Sequence, residues 1–253
     1  MLKTGLQLDK SKYFTSRNSL IPLVYYFALD SSKKPAFKKA QRFFLLSQLS
    51  GHYSAAGETA LGRDFKALRE ALTPRRGLEE LVKSVESEAK RDYRGLKLRP
   101  RDIYGGTSKN ILILLMYILM RRSGATDWGD ENALLLEELE ANNTELHHIF
   151  PVNFMMKDKG AEQGRVTRDL SPGEFRAEVN DIANITFLSK SRNISIGDRA
   201  PDDYLPETTK EMRRAHFIPE NPSFWKAEQF LVFLSARRKL LATAMTRLLK
   251  GIR

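Results

Sequence analysis

Apolar residues recur at helical spacing through the first half of the chain. SLIPLVYYFAL (19–29) is densely apolar with a proline near its start, and KKAQRFFLLSQL (38–49) follows it. GRDFKALREAL (62–72) has the same period and stops at Thr73-Pro74, and GLEELVKSVESEAKRDY (77–93) is amphipathic. TSKNILILLMYILMRRSG (107–124) opens on Thr/Ser capping residues, places Arg121 and Arg122 in its last turn and ends near Gly124, so it predicts a buried helix. ENALLLEELEANN (131–143) predicts one more helix, an acidic one.

The pattern then shortens. From 144 to about 205 turn residues multiply, and ELHHIF (145–150) and ANITFLS (183–189) are the two segments that predict strands. In the connection between them, Ser171, Pro172 and Glu174 form a capping-box signature that starts a helix over about 172–181. SRNISIGD (191–198) predicts a short helix or turn ended by Gly197. A long C-terminal helix is expected from Asn221-Pro222 onward, with Phe224, Phe230, Leu234, Leu241 and Leu248 on its apolar face. No internal repeat appears. YGGTSKN (104–110) lacks the spacing of a nucleotide-binding phosphate loop.

Composition narrows the classes. At 253 residues the chain can bury a sizeable core in one large domain or two small ones. It has no cysteine, which excludes a disulfide framework and a cysteine-ligated zinc site and fits a reducing, cytoplasmic setting. The N-terminal residues show no secretory signal. The most apolar run, Ile111 to Met120, falls well short of the roughly 20 residues needed to span a bilayer, so no membrane partner is expected.

The net charge of +11 lies wholly in residues 1–130, which hold 24 Lys+Arg against 13 Asp+Glu. Clusters at 33–42 and 89–101 make a face that suits a polyanion such as nucleic acid, or that simply solvates a basic protein. Residues 131–181 are acidic. The balance turns basic again from 182, with Lys190, Arg192 and Arg199 following the second strand segment.

Two of the four histidines are adjacent, in ELHHIFP (145–151). Neighbours on an extended segment face opposite sides, so His147 and His148 do not readily share one metal. They can flank one phosphate, with a metal on one side and a base for the attacking water on the other. A buried pair of ordinary core histidines is the alternative. His52 and His216 carry no such pattern and are expected to be structural.

The order His-His, Pro, strand, Asn, short helix resembles the HNH, or ββα-metal, nuclease finger at HHIFP and NITFLSKSRN. More narrowly, residues 145–205 resemble the C-terminal HNH domain of GmrSD-type modification-dependent restriction endonucleases. The resemblance implies a mainly α-helical protein carrying a small ββα insert. The expected divisions are a basic DNA-binding scaffold over 1–130, a finger over 131–205 and closing helices over 206–253.

It implies His148 as general base, His147 and Asn193 as metal ligands, and Asn184 as the residue that braces the finger and orients the base. Glu145, two residues before His147, lies on the metal side of a strand or in solvent. The cofactor is then one divalent ion, Mg²⁺ or Mn²⁺. Mn²⁺ is expected to work at least as well, because imidazole suits later first-row metals. DNA is the implied substrate, cut to 5′-phosphates, with Lys190, Arg192 and Arg199 on the phosphates. A nucleotide-hydrolysing sensor, as a further domain or a partner, and a role in defence against foreign DNA are also implied. The alternatives are an inactive DNA-binding module and an RNA-cleaving relative.

Overall fold

The computed structural model of the chain describes residues 2, 6, 8, 13–30, 32, 36–54, 57–92, 96–105, 111–134, 144–157 and 170–251. These residues are predominantly helical and fall into two compact units. One comprises Met1–Leu98, Lys109–Leu114 and Met245–Arg253; the other comprises Arg99–Ser108 and Leu115–Ala244. The division does not fall at residues 130 and 205, where the sequence pattern suggested boundaries.

Unit 1 is built on four helices, α1 (Ile21–Leu29), α2 (Phe37–Leu49), α3 (Gly57–Glu70) and α4 (Pro74–Asp92). Proline stands in the first turn of α1 and opens α4, where its missing N–H has no intrahelical partner to lose. Helix α4 packs on α2 and α3, over a core that includes Tyr26, Phe43, Phe44, Leu78 and Val85. A Cβ at Gly77 would come within 3.0 Å of the Leu68 backbone, so only glycine admits this approach of α4 to α3.

The lysines and arginines of unit 1 are partly neutralised in place. Arg42 meets Glu86 at 2.9 Å, Lys90 meets Glu86 at 2.7 Å, and Lys39 is bonded to Glu79. Residues 33–35 and 93–95 of the two expected basic clusters lie outside the described residues.

Unit 2 carries most of α5 (Ile111–Arg122), which ends as the sequence predicts, with Gly124 at φ 65°. The Thr107 and Ser108 caps expected for it lie outside the described residues. Two strands follow where one acidic helix was expected. β1 (Thr126–Asp127) pairs antiparallel with β2 (Asp130–Leu134) around a Trp128-Gly129 turn. Residues 131–134, the start of the helix expected over 131–143, are strand through this pairing. The rest of that expected helix, 135–143, lies outside the described residues.

The second sheet pairs β3 (Thr144–His148) antiparallel with β4 (Ile185–Ser189), so the chain has strands beyond the two that its alternation predicted. The register sets Leu146 opposite Phe187, His147 opposite Thr186 and His148 opposite Ile185. Between β3 and β4 lie α6 (Val152–Met156) and α7 (Pro172–Val179). The Ser171/Glu174 capping box of α7 forms as predicted, with Ser171 N–H donating to Glu174 at 2.8 Å.

After β4 come α8 (Lys190–Ile196), α9 (Pro201–Tyr204) and α10 (Lys210–Ala215). Gly197 ends α8 at φ 55°, as expected. The closing helix α11 is Phe230–Gly251 and does not start at Asn221-Pro222. Residues 222–225 and 227–229 are separate 3-10 turns, because Asn221 caps only the first of them.

The core of unit 2 gathers Phe150 between Phe230 and Phe233, each at 5.0 Å between ring centres. Arg237 is fully buried and faces four backbone carbonyls, those of Ala183, Ile185, His216 and Phe217, at 2.6–3.3 Å. Charge-assisted bonds of this kind contribute about 1.5–3 kcal/mol each. They fix the start of β4 against α11. Among the described residues no helix is long and apolar enough to cross a membrane.

Candidate active site

β3 ends at His148 because Pro151 cannot continue the ladder, and the chain leaves through Ile149 and Phe150. Asn184 holds that exit. It sits at the end of a 3-10 turn (Ile182–Asn184), fully buried, immediately before β4. Its side-chain oxygen accepts from Phe150 N–H at 2.8 Å. Its amide nitrogen donates to the carbonyls of Phe150 at 2.9 Å and Val179 at 2.8 Å, and its own carbonyl accepts from Ile149 N–H at 2.8 Å. Asn184 therefore acts on backbone, as a brace beside His148.

The histidines fall on opposite sides, as strand alternation requires. His147 is 2% exposed. Its Nδ1 lies 2.7 Å from Asn193 Oδ1 and its Nε2 3.3 Å from Tyr204 Oη, with the edge of Trp128 against the ring. Asn193 stands on α8, and its amide nitrogen donates to Glu145 Oε2 at 2.8 Å. Glu145, His147 and Asn193 thus converge, two from alternate positions of β3 and one from the helix after β4. Burial pushes the His147 ring down to about 4, against the opposing hydrogen bond to the Asn193 amide oxygen, so the ring is neutral at pH 7.

His148 is half-buried. Burial lowers its pKa, and a hydrogen bond with the Asn180 side chain opposes that. Its Nε2 has no hydrogen-bond partner among the described residues. Asn180 caps the C-terminal end of α7 and donates its own amide to the Arg176 carbonyl at 2.9 Å.

The expected phosphate-binding cations are placed unequally. Lys190 is exposed at the start of α8. Arg192 and Arg199 both meet Glu207, Arg192 at 3.4 Å.

His216 is a fully buried, neutral ring; burial pushes its pKa down to about 4. It bridges Thr186 Oγ1 and the Thr126 carbonyl, each at 2.8 Å. His52 is a clamp in unit 1, with Nδ1 2.7 Å from Glu88 and Nε2 3.2 Å from Asp64.

Several residues around the site carried no sequence signal. Asp127 accepts from Ser189 N–H at 3.0 Å and Ser189 Oγ at 2.6 Å, and Ser189 in turn caps α8 by accepting from Arg192 N–H at 3.0 Å. That chain of bonds sets the helix bearing Asn193. Asp127, Asn180, Tyr204 and Arg237 all act across long sequence separations, which spacing along the chain does not reveal.

Among the described residues no group of three or more His, Cys, Asp or Glu side chains is arranged to hold a metal ion. The convergent set here includes an amide, and an imidazole, an amide oxygen and a carboxylate are a donor set that fits a divalent ion of the Mg²⁺ or Mn²⁺ type. No family model, curated protein or solved structure matches the chain.

Proposed function

We propose that this protein is a metal-dependent endonuclease of the HNH type that hydrolyses DNA phosphodiester bonds to leave 5′-phosphates. One observation carries the reading. At the end of a single strand, one face gathers Glu145, His147 and Asn193, while the other carries a neutral histidine, His148, whose Nε2 is buried and has no partner among the described residues.

In this reading His148 takes the proton of the attacking water on Nε2. Asn180 holds the other side of the ring, so the lone pair stays on Nε2. A neutral ring near physiological pH is what a base requires. Asn184 keeps His148 at the strand end by fixing the backbone at Ile149 and Phe150. Glu145, His147 and Asn193 would hold the divalent ion, which when bound stabilises the charge developing on the leaving 3′-oxygen. Glu145 adds a negative charge to two neutral ligands, which favours a hard ion. Imidazole keeps Mn²⁺ at least as good as Mg²⁺. Lys190, Arg192 and Arg199 lie on or just beyond the helix bearing Asn193 and would meet phosphates on either side of the scissile bond.

The resemblance of 145–205 to the nuclease domain of modification-dependent restriction enzymes supports a role as the effector of such a system, with a nucleotide-hydrolysing sensor as a further domain or a partner. The test is relaxation of supercoiled plasmid with Mn²⁺ or Mg²⁺. Metal-dependent nicking that His148→Ala removes supports the reading. Salt-sensitive DNA binding without nicking, in both proteins, sinks it in favour of a binding module.

A further inference from the structure

Tyr204 is fully buried, and its hydroxyl has a single hydrogen to give. That hydrogen goes to the carbonyl of Ile149, 2.5 Å away, the residue next to His148. Toward His147 Nε2, at 3.3 Å, the phenol oxygen therefore presents a lone pair. It can only accept there.

The other end of the ring faces a second acceptor. Asn193 directs its amide nitrogen to Glu145, because a carboxylate only accepts, so the atom 2.7 Å from His147 Nδ1 is the amide oxygen. A neutral imidazole has one N–H and two acceptors to satisfy. With the hydrogen on Nδ1, the ring bonds Asn193 and leaves Nε2 against the phenol oxygen unbridged. With the hydrogen on Nε2, it bonds Tyr204 and leaves a lone pair on Nδ1. That lone pair then faces the oxygen of Asn193, whose amide nitrogen is held by the Glu145 carboxylate. Such a set is satisfied by a cation.

We infer that Tyr204 is a positioning residue that holds His147 in its Nε2–H form, making Nδ1 the nitrogen that donates to the divalent ion. The inference rests on the proposed reading of His147 as a metal ligand. The phenol also couples the two faces of the strand, since the carbonyl that fixes its hydrogen belongs to the segment carrying His148. Partners of ligating histidines typically account for 10–100-fold in metal affinity.

The experiment is Mn²⁺ binding by calorimetry to the whole chain, its Tyr204→Phe variant and its His147→Ala variant. Long-range ¹H–¹⁵N NMR of the wild type loaded with Zn²⁺, a diamagnetic probe, accompanies it. The expected result is binding that His147→Ala abolishes and Tyr204→Phe weakens roughly 10-fold or more, with the His147 proton on Nε2 in the loaded wild type. Equal affinity in wild type and Tyr204→Phe overturns the inference and leaves the metal site standing. A proton on Nδ1 of His147 in the loaded wild type overturns it without any variant having to fold. Binding that is absent from the wild type, or indifferent to His147→Ala, removes the metal reading and the inference with it.

Discussion

His52 in unit 1 and His147 in unit 2 are both buried rings with both nitrogens engaged, yet their pKa values move in opposite directions. His52 lies between two carboxylates, Asp64 and Glu88. Burial works against its charge, but the hydrogen bonds and charges of the two acids outweigh it, and its pKa is raised. His147 lies between an amide and a phenol, with nothing anionic touching the ring directly, and burial drives it down to about 4. Depth alone does not set the charge of a histidine; its partners do. A cationic ring ties elements together but has no lone pair to offer. A neutral one can serve as a ligand.

The comparison breaks most sharply through chemistry. His148→Ala is expected to lower the plasmid-nicking rate about 10²–10⁴-fold, the usual contribution of a general base. His52→Gln, measured alongside under single-turnover conditions, is expected to leave the rate of the folded protein unchanged. If the two variants lose activity equally, the assignment of roles to the two clusters is wrong.

Stability gives the converse effect. Removing the ring from between Asp64 and Glu88 leaves the buried Asp64 carboxylate with only the Tyr53 hydroxyl as a side-chain partner, and His52→Ala is expected to destabilise by about 2 kcal/mol in urea unfolding. A loss below about 1 kcal/mol would mean that the clamp carries no net charge interaction.

The pH dependences run in opposite directions. The raised His52 contributes stability that is complete below its unfolded pKa near 6.5 and disappears as pH rises through its higher folded value. The depressed His147 is at no disadvantage above 6.5, and its burial becomes a cost as the pH falls from there toward about 4. In NMR titration the His52 ring should therefore titrate above 6.5 and the His147 ring well below it. Titration of both near 6.5 would erase the distinction.

The smallest effect concerns surface cations. Glu207→Gln should free Arg192 and Arg199 and tighten DNA binding modestly, by roughly twofold at low salt, with the gain vanishing at high salt. Weaker binding would show that Glu207 orders the arginines for the phosphates instead of competing with them.

How far the sequence foretold this arrangement depended on the range of the interactions. Short-range signals held: the Ser171/Glu174 box started α7, Gly197 ended α8, and alternation put His147 and His148 on opposite faces. Glu145, placed two residues before His147 by the same alternation, does reach Asn193. Long-range pairing did not show. The segment 131–143 read as helix, and pairing with Thr126–Asp127 makes its first residues, 131–134, a strand. Tyr204 gave no signal in Asp202-Asp203-Tyr204-Leu205, because its importance comes from residues 55 and 57 positions earlier. Arg237 gave no signal either, although it is wholly enclosed.

Arg237 also imposes an order of events on synthesis. The carbonyls flanking Asn184 receive their hydrogen bonds from a residue made more than fifty positions later. Until a nascent chain has grown past Arg237, those carbonyls lack their donor, and the strand that places Asn184 beside the histidines is not locked. Hydrogen exchange on stalled nascent chains should show Ile185 protected only once Arg237 is free to dock. A chain built this way keeps its histidine pair unlocked until Arg237 has been made and has docked.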